Sequence, residues 1–403
     1  MSDEEIRGNA VPAEEPDTIV PWKSSTILEV QGHVDGRDPF AKGNRLRGES
    51  WSLVLRRTWN DFFHDAFMDR AAGMTYFTLM AFAPTVLAAY SIATLIFSSR
   101  QAEVEELTSE FIEQYIPSSL SEEANSLVGA IIGSSSQGTL ALTISLAISL
   151  FSASAYVRAF SRTANTVYGR VEGRGIIRTW ALMWGLTAII VVGAVVVLFA
   201  NLLRDTIVSE AIYPLARQVG MEDTATYLVK IFLPVWNWLR FPVTVVVVLT
   251  LIAVLYHFSP NVRPSRFRWI TYGSVVALVG TVVSWGLVGL YLKYLAGASA
   301  YGAISTVLAV FVAIWLMNTV LIIGIKIDAE VLRAKELQLG MHSQRFIQAP
   351  PRSDSSSTAQ ARAQKRLEYR AIEIYENAEH KEHKEHEEHQ EPVQDSGSAE
   401  TSA

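Results

Sequence analysis

The stretch "WALMWGLTAIIVVGAVVVLFANLL" (residues 180–203) contains no charged side chain. A helix that crosses a membrane needs about 20 mainly apolar residues, because the hydrocarbon core of the bilayer is about 30 Å thick. A soluble protein needs polar residues every few positions to cover its surface, so a run of this length would be unusual in one. The stretch therefore predicts a transmembrane helix.

Five other stretches have the same character, and the charged residues crowd into positions 1–73 and 326–403. Hydrophobic residues make up 50% of the 403-residue chain, so this segregation favours a membrane core with solvated ends. We predict an all-α, polytopic membrane protein with six transmembrane helices. The predicted spans cover residues 74–97, 139–157, 180–203, 241–258, 269–292 and 302–325.

An amphipathic helix is predicted just before the first span. The segment "WSLVLRRTWNDFFHDAFMDR" (51–70) places a bulky apolar residue at every fourth position, which is typical of a helix lying at the membrane interface. A helix packed on a soluble core would show the same pattern. Short extracytoplasmic helices are expected within residues 103–133 and 208–238.

Both ends of the chain are polar and charge-dense. Such segments cannot bury enough apolar surface to offset the entropy of ordering, so we expect mostly disordered tails at 1–50 and 336–403. A helix is predicted at 358–390 within the second tail. The membrane domain is then residues 51–335.

Lysine and arginine residues in the loops predict the orientation. Residues 158–179 contain five arginines and one glutamate, whereas residues 98–138 contain one arginine and seven glutamates. Because cytoplasmic loops carry the excess of basic residues, both termini are predicted to be cytoplasmic. We interpret the arginines of the predicted cytoplasmic loops as topology determinants that would also attract anionic lipid headgroups. They are Arg158, Arg162, Arg170, Arg174, Arg178, Arg263, Arg266 and Arg268.

Several segments suggest a metal site or a nucleotide-binding loop, but their geometry or residue types exclude that role. The chain has no cysteine, which excludes disulfides and thiol nucleophiles. In "HKEHKEHEEH" (380–389) the histidines lie three residues apart, hence about 60° apart around a helix, so all four cannot face one metal ion. "GNRLRGES" (43–50) has the glycine spacing of a Walker loop, but Glu49 stands where a lysine must meet the phosphates.

The arginine-rich loop at 158–179 could also serve to bind RNA. Phosphodiester cleavage needs metal-holding carboxylates or a general acid and base, and no paired carboxylates accompany this loop in the membrane part. We therefore expect no enzyme activity, no nucleic-acid partner, no cofactor and no metal site.

Polar residues inside or next to the spans are the remaining candidates for function. Asn318, deep in the sixth span, predicts an interhelical hydrogen bond or a lining position on a polar path. Lys326, at the end of that span, predicts a side chain that snorkels to the interface or lines the same path. Pro84 predicts a kink in the first span, because it removes a backbone donor.

Four stretches resemble the YihY/BrkB family of membrane proteins. They are "AAGMTYFTLMAFAPTVLA" (71–88), "NTVY" (165–168), "LYHFSPNVRPSRFRWITYGSVVAL" (255–278) and "YGAISTVLAVFVAIWLMNTVLIIGIKIDAE" (301–330). The resemblance covers about residues 50–335, span by span. By position it assigns as motif residues Tyr76, Pro84, Asn165, Tyr168, Pro260, Tyr301, Gly302, Trp315 and Gly324.

The resemblance implies a six-helix protein of the bacterial cytoplasmic membrane that is associated with envelope integrity. The family's former assignment as ribonuclease BN is regarded as mistaken, and its members are proposed to move lipids or other solutes. Where the family commonly has an acidic residue, this chain has Lys326, which leaves Asp328 as the alternative acid.

Two functional hypotheses follow from these observations. The first is a transporter-like protein that handles a lipid or amphipathic envelope component, with membrane lipids as partners. The second is a non-transporting scaffold for envelope biogenesis, with homo-oligomers or envelope-biogenesis proteins as further partners. The candidate residues of a substrate path are Tyr76, Pro84, Asn165, Tyr168, Tyr301, Gly302, Asn318 and Asp328.

Overall fold

The computed structural model describes residues 38–96, 109, 121–122, 126, 139–202, 232–264, 266–294 and 303–388. In these ranges the chain forms eight α-helices and no strand. They are α1 (Gly48–His64), α2 (Phe67–Ile96), α3 (Thr139–Val167), α4 (Ile176–Leu202), α5 (Leu233–Phe258), α6 (Tyr272–Tyr294), α7 (Ala303–Gln338) and α8 (Ser355–Glu388). The all-helical prediction is confirmed for the described residues.

Four of these helices are long and apolar enough to cross a membrane. The qualifying segments are Ile176–Asn201, Leu233–Phe258, Tyr272–Tyr294 and Val307–Gln338. They coincide with the third to sixth predicted spans and expose many apolar side chains, such as Val246 and Val282. Such faces are expected to meet lipid, because water would penalise them. The first two predicted spans lie on α2 and α3, and the six-span topology stays a prediction.

Helices α4 and α5 form an antiparallel pair. At one end, the indole N–H of Trp236 donates to the carbonyl oxygen of Ala200 at 3.1 Å, and the amide of Asn201 donates to the Thr244 hydroxyl at 3.0 Å. Buried polar groups near a bilayer must find such partners, since lipid offers none. These two bonds therefore fix the register of the pair.

Helices α6 and α7 cross in close contact at two glycines. A Cβ atom on Gly273 would overlap the carbonyl oxygen of Gly324, and a Cβ on Gly324 would overlap the carbonyl oxygen of Gly273. In a bilayer no hydrophobic force draws helices together, so that their association depends on close packing. Small residues permit this packing because they let the two backbones approach. Further along, Gly280 lies against the side chain of Val320.

Asn318 of α7 forms hydrogen bonds to two other helices. Its amide oxygen accepts from the Tyr156 hydroxyl of α3 at 3.1 Å, and its amide nitrogen donates to the Thr75 hydroxyl of α2 at 3.2 Å. This confirms the interhelical hydrogen bonds expected for Asn318. The residue is fully buried, so these bonds satisfy groups that would otherwise be desolvated without compensation.

Helix α1 packs one face on α7 and exposes the other. Val54 lies in a buried cluster with Ile327 and Val331, whereas Leu55, Trp59 and Phe63 are 59%, 70% and 59% exposed. An exposed apolar stripe of this kind suits the boundary between headgroups and acyl chains. The packing on α7 and the exposed stripe together favour an interfacial helix.

The structure differs from the snorkelling expected for Lys326, one of the two alternatives that the sequence left open for this residue. Its ammonium is buried and lies 2.5 Å from a carboxylate oxygen of Asp61 and 2.7 Å from one of Glu330. The reason is that α1 crosses α7 at this level and supplies Asp61. Lys326 thereby connects the two helices through a buried ion pair.

The structure also differs from the expected disorder after residue 336. The last turn of α7 reaches Gln338, and Met341, Ser343 and Ile347 are buried. The predicted helix at 358–390 is present as α8, which belongs to a separate compact unit that begins at Ser355. Residues 1–37 fall outside the described residues, as do the predicted extracytoplasmic helices except for residues 109, 121–122, 126 and 232–238, and residues 233–238 form the start of α5.

We predict that Gly273→Ala lowers the free energy of unfolding by about 1–3 kcal/mol or more, because the added Cβ meets backbone rather than a yielding side chain. Thermal unfolding of the detergent-solubilised protein, followed by the fluorescence of its 10 tryptophans, measures the change. Gly286→Ala on the same helix is the control, since a Cβ there meets nothing within 4 Å. Equal melting temperatures for the two variants would contradict the close crossing.

Candidate functional site at the basic end of the bundle

Most of the predicted site residues lie at one end of the bundle, which we call the basic end. It is formed by the connection α3–α4, the connection α5–α6 and the chain after α7. The Ser161 hydroxyl donates to the Ser259 carbonyl oxygen at 2.7 Å, and the Arg263 N–H donates to the Pro350 carbonyl oxygen at 2.9 Å. These bonds join the last turns of α3, the α5–α6 connection and the chain after α7, which are far apart in sequence.

Asn165, a predicted path residue, is buried and joins two of these segments. Its amide oxygen accepts the backbone N–H of Asn261 at 2.6 Å, and its amide nitrogen donates to a Glu172 carboxylate oxygen at 3.1 Å. Both ends of the side chain are therefore engaged within the protein. In this structure Asn165 connects the α3–α4 loop to the α5–α6 loop.

Arg174 and Glu172 form a bidentate ion pair next to Asn165. The Nε and Nη2 atoms of Arg174 donate to the two Glu172 carboxylate oxygens, each at 2.6 Å, and Nη2 also donates to the Ser259 carbonyl oxygen at 2.8 Å. Burial raises the pKa of Glu172, but the hydrogen bonds and charge of Arg174 outweigh it, so that this pKa lies below its usual value. Arg174 is buried and neutralised, and it is not free to bind a headgroup as predicted.

The chain after α7 crosses the basic end as a fixed segment, which we call the strap (residues 341–353). The buried carboxylate of Glu336 accepts the backbone N–H groups of Gln348 at 2.8 Å and Ala349 at 3.0 Å. It also accepts the Ser343 hydroxyl at 2.7 Å. A buried carboxylate needs several donors, and the strap supplies two backbone N–H groups and one hydroxyl.

Two arginines hold the carbonyl side of the strap. Arg170 donates to the carbonyl oxygens of Ile347 at 2.5 Å and Ala349 at 3.0 Å, and Arg333 donates to the carbonyl oxygen of Arg345 at 2.9 Å. Together with Glu336, these bonds satisfy both sides of a backbone that has no regular secondary structure. Arg170 therefore has a structural role, which differs from its interpretation as a headgroup contact.

A pocket of about 560 Å³ opens beside the strap, and we call it the basic pocket. Its lining residues are Arg174, Arg178, Ala181, Leu182, Phe258, Arg263 and Arg352. Arg178 and Arg263 are exposed, whereas Arg352, from the strap, is half-buried and donates to the His257 carbonyl oxygen at 2.8 Å. The pocket thus combines guanidinium groups with an apolar wall.

The arginines of this pocket lie close enough to repel one another. Burial lowers the pKa of Arg352, and the charges of Arg174, Arg263 and Arg178 lower it further. Burial is the larger cause of the lowered pKa of Arg352. The further lowering by the neighbouring arginines indicates a positive potential, which a bound anion would relieve because arginine stays protonated in proteins. Its guanidinium also lies over the Phe258 ring, 5.6 Å from the centroid.

Of two further path candidates, Tyr168 is buried and Asp328 is half-buried. Asp328 accepts the Thr271 hydroxyl at 2.6 Å and the Gly273 backbone N–H at 2.8 Å, so that it caps the start of α6. Tyr168 is buried in the main hydrophobic cluster. Asp328 thus connects α7 to the start of α6, and Tyr168 packs the α3–α4 connection into the hydrophobic core.

The other path candidates are not brought together with these residues. Tyr76 is exposed on α2, with its ring 5.4 Å from that of Phe77. Pro84 lies within the continuous helix α2. Tyr301 and Gly302 lie outside the described residues.

The remaining predicted arginines lie around the basic end. Arg158 stacks over Trp180 at 4.6 Å, a cation–π contact, and Arg162 is exposed. Arg266 pairs with Asp38 at 2.8 Å, and Arg268 lies 5.0 Å from the centre of the Phe40 ring.

Sequence reasoning missed Arg352 because it stands in a segment of polar composition. One signal could have found the strap. The apolar pair Phe346 and Ile347, followed by two prolines, interrupts the polar tail and indicates a segment that packs. The partners Arg170 and Ile347 are 177 residues apart, a separation that local patterns do not reveal.

We predict that Arg174→Gln lowers the free energy of unfolding by about 3 kcal/mol, because it removes the guanidinium that pairs with both oxygens of Glu172 and leaves that carboxylate without a cationic partner. Arg178→Gln removes the same charge from an exposed position four residues away and should leave the melting temperature nearly unchanged. Thermal unfolding in detergent compares the two variants. A loss of equal size in both would mean that the loop needs basic charge and not this ion pair.

Comparisons with known proteins agree with the resemblance inferred from the motifs. The family model described as Virulence factor BrkB matches residues 58–346. YfkH of Bacillus subtilis (strain 168), named as ribonuclease-like, is 28% identical over 228 residues, which are 56% of this chain and 78% of that protein. No solved structure matches the chain. Since the family match spans α2 to α7 and enters the strap, the chain belongs to the BrkB family of membrane proteins.

Proposed function

We propose that this chain is a transporter-like protein of the bacterial cytoplasmic membrane that handles an anionic lipid or another amphipathic envelope component. The observation that carries the proposal is the basic pocket, which places Arg178, Arg263 and Arg352 beside the apolar wall of Leu182 and Phe258. An amphipathic molecule with an anionic headgroup matches both parts of this lining.

The surroundings of the pocket suit entry from the membrane. Ile176, Ile177 and Trp180 begin α4 with exposed side chains, and Ile177 is 86% exposed. Apolar residues next to a tryptophan and several arginines are typical of a helix end at headgroup depth. A lipid headgroup could therefore reach Arg178 while its acyl chains stay beside α4.

The lining supports binding more than hydrolysis. Among the described residues that form the pocket wall, none is an acid or a histidine, and so the wall supplies no general base. The ribonuclease-like name of the Bacillus relative thus finds no support in this pocket. The same guanidinium groups suit the phosphate of a lipid, for which binding alone is required.

One observation favours the alternative of a non-transporting scaffold. Asn165, Asn318 and Asp328, three candidates for a polar path, all form hydrogen bonds within the protein. A path through them would require these bonds to open. If the bundle does not open, the basic pocket would serve as an anchor on anionic lipid while other surfaces recruit envelope proteins.

Translocation of a fluorescent anionic lipid in proteoliposomes, measured by quenching of the outer leaflet, tests the proposal. We expect translocation above that of empty vesicles, reduced at least about tenfold by the double variant Arg178→Gln/Arg263→Gln, since hydrogen bonds to charged groups contribute about 1.5–3 kcal/mol each. Arg345→Gln is the matched control, because its side chain is exposed on the strap and outside the pocket wall. Translocation no faster than in empty vesicles would favour the scaffold.

A further inference from the structure

We propose that the basic pocket binds a phosphomonoester or diphosphate, a group with at least two negative charges, in preference to a singly charged phosphodiester headgroup. This inference deepens the proposed function and rests on it for the assumption that the ligand is amphipathic. It is carried by the charge balance of the pocket, by an unpartnered N–H group of Arg352 and by the way in which the strap fixes that residue.

The charge balance leaves three positive charges for a ligand. Of the four arginines in the wall, only Arg174 pairs with a carboxylate, that of Glu172. Within the described part of the chain, Arg178, Arg263 and Arg352 form no ion pair. A phosphodiester with one negative charge would leave most of this potential uncompensated, whereas a phosphomonoester brings a charge of about −1.5 to −2 at neutral pH.

Arg352 has a donor that the protein does not use. Its Nη2 atom donates to the His257 carbonyl oxygen, but its buried Nε–H has no hydrogen-bond partner in the described structure. Buried donors are nearly always paired in folded proteins, and an orphan in a pocket wall indicates a missing acceptor. A phosphate oxygen is the acceptor that suits guanidinium geometry best.

The strap holds Arg352 in place before any ligand arrives. The next residue, Ser353, donates its backbone N–H to Asn261 at 3.1 Å and accepts the Asn261 amide at 2.8 Å. Its carbonyl oxygen lies so close to Gly173 that a Cβ there would overlap it. A guanidinium fixed in this way loses little entropy on binding, which favours affinity and discrimination.

The preference for a doubly charged group does not follow from family membership. The family match ends at residue 346, and Arg352 lies six residues beyond it. Arg178 and Arg263 lie within the matched range and would bind a singly charged headgroup alone. The strap thus adds the third guanidinium that distinguishes the two classes of ligand.

The test measures equilibrium binding of two lipids to the full-length protein in nanodiscs of neutral lipid. The probes are phosphatidic acid, a phosphomonoester, and phosphatidylglycerol, a phosphodiester. At pH 8 we expect phosphatidic acid to bind at least about tenfold more tightly, since an added charge-assisted hydrogen bond is worth that factor or more. The preference should shrink at pH 5.5, because the second pKa of a phosphomonoester is about 6.

Variants assign the preference to the strap. Arg352→Gln should reduce affinity for phosphatidic acid about tenfold and change that for phosphatidylglycerol little. Arg345→Gln, which removes the same charge from an exposed position of the strap, should bind both lipids as the wild type does. Arg263→Gln, an exposed substitution that leaves the strap's backbone bonds intact, should weaken both lipids.

Inorganic pyrophosphate, added as a competitor, distinguishes the two sources of the group. If pyrophosphate displaces phosphatidic acid at a similar concentration, the pocket binds a soluble ligand that carries the same doubly charged group. If only lipid displaces it, the ligand is a lipid. Equal affinity of the wild type for both lipids at pH 8, or equal loss for both in Arg352→Gln, would overturn the inference. Because binding is measured without transport, a failure of translocation would leave this result standing.

Discussion

The buried carboxylate of Glu336 is the constraint on which the basic end depends. Glu336 stands two residues before the end of α7, and its oxygens accept the backbone N–H groups of Gln348 and Ala349 and the Ser343 hydroxyl. A carboxylate buried without donors would be strongly destabilising. The strap must therefore fold back over the bundle, and its return brings Arg352 to the pocket.

At the basic end, apolar helices end in connections that carry many charged residues. Within the bundle, close contact comes from glycine at Gly273 and Gly324, and the buried amide of Asn318 pairs with the Tyr156 hydroxyl. At the basic end, the arginines divide into two kinds. Arg174 is neutralised by Glu172 and fixes the loops, whereas Arg178 and Arg263 remain exposed around a pocket. Some arginines of this region thus stabilise the fold, and others line the pocket.

Sequence patterns predicted the features that are local. The charge-free run at 180–203 predicts α4, because length and composition alone decide whether a helix can span a bilayer. The polar residue Asn318 in an apolar span predicts an interhelical hydrogen bond, because lipid offers its amide no partner. The patterns did not distinguish Arg174 from Arg178, since both count equally as basic loop residues. Their difference depends on Glu172, Ser161 and Ser259, whose positions follow only from the packing of α3 against α5. Lys326 shows the same limit, because its partner Asp61 lies 265 residues away.

The central claim is that the strap is a fixed part of the basic end, and hydrogen exchange of the full-length protein in nanodiscs tests it most directly. The account predicts that the amides of Gln348 and Ala349, which donate to Glu336, exchange far more slowly than those of an unstructured peptide, and that Glu336→Gln accelerates both. Exchange at the rate of an unstructured chain across 341–353 in the wild type would contradict the account, because the pocket would then lack a positioned Arg352.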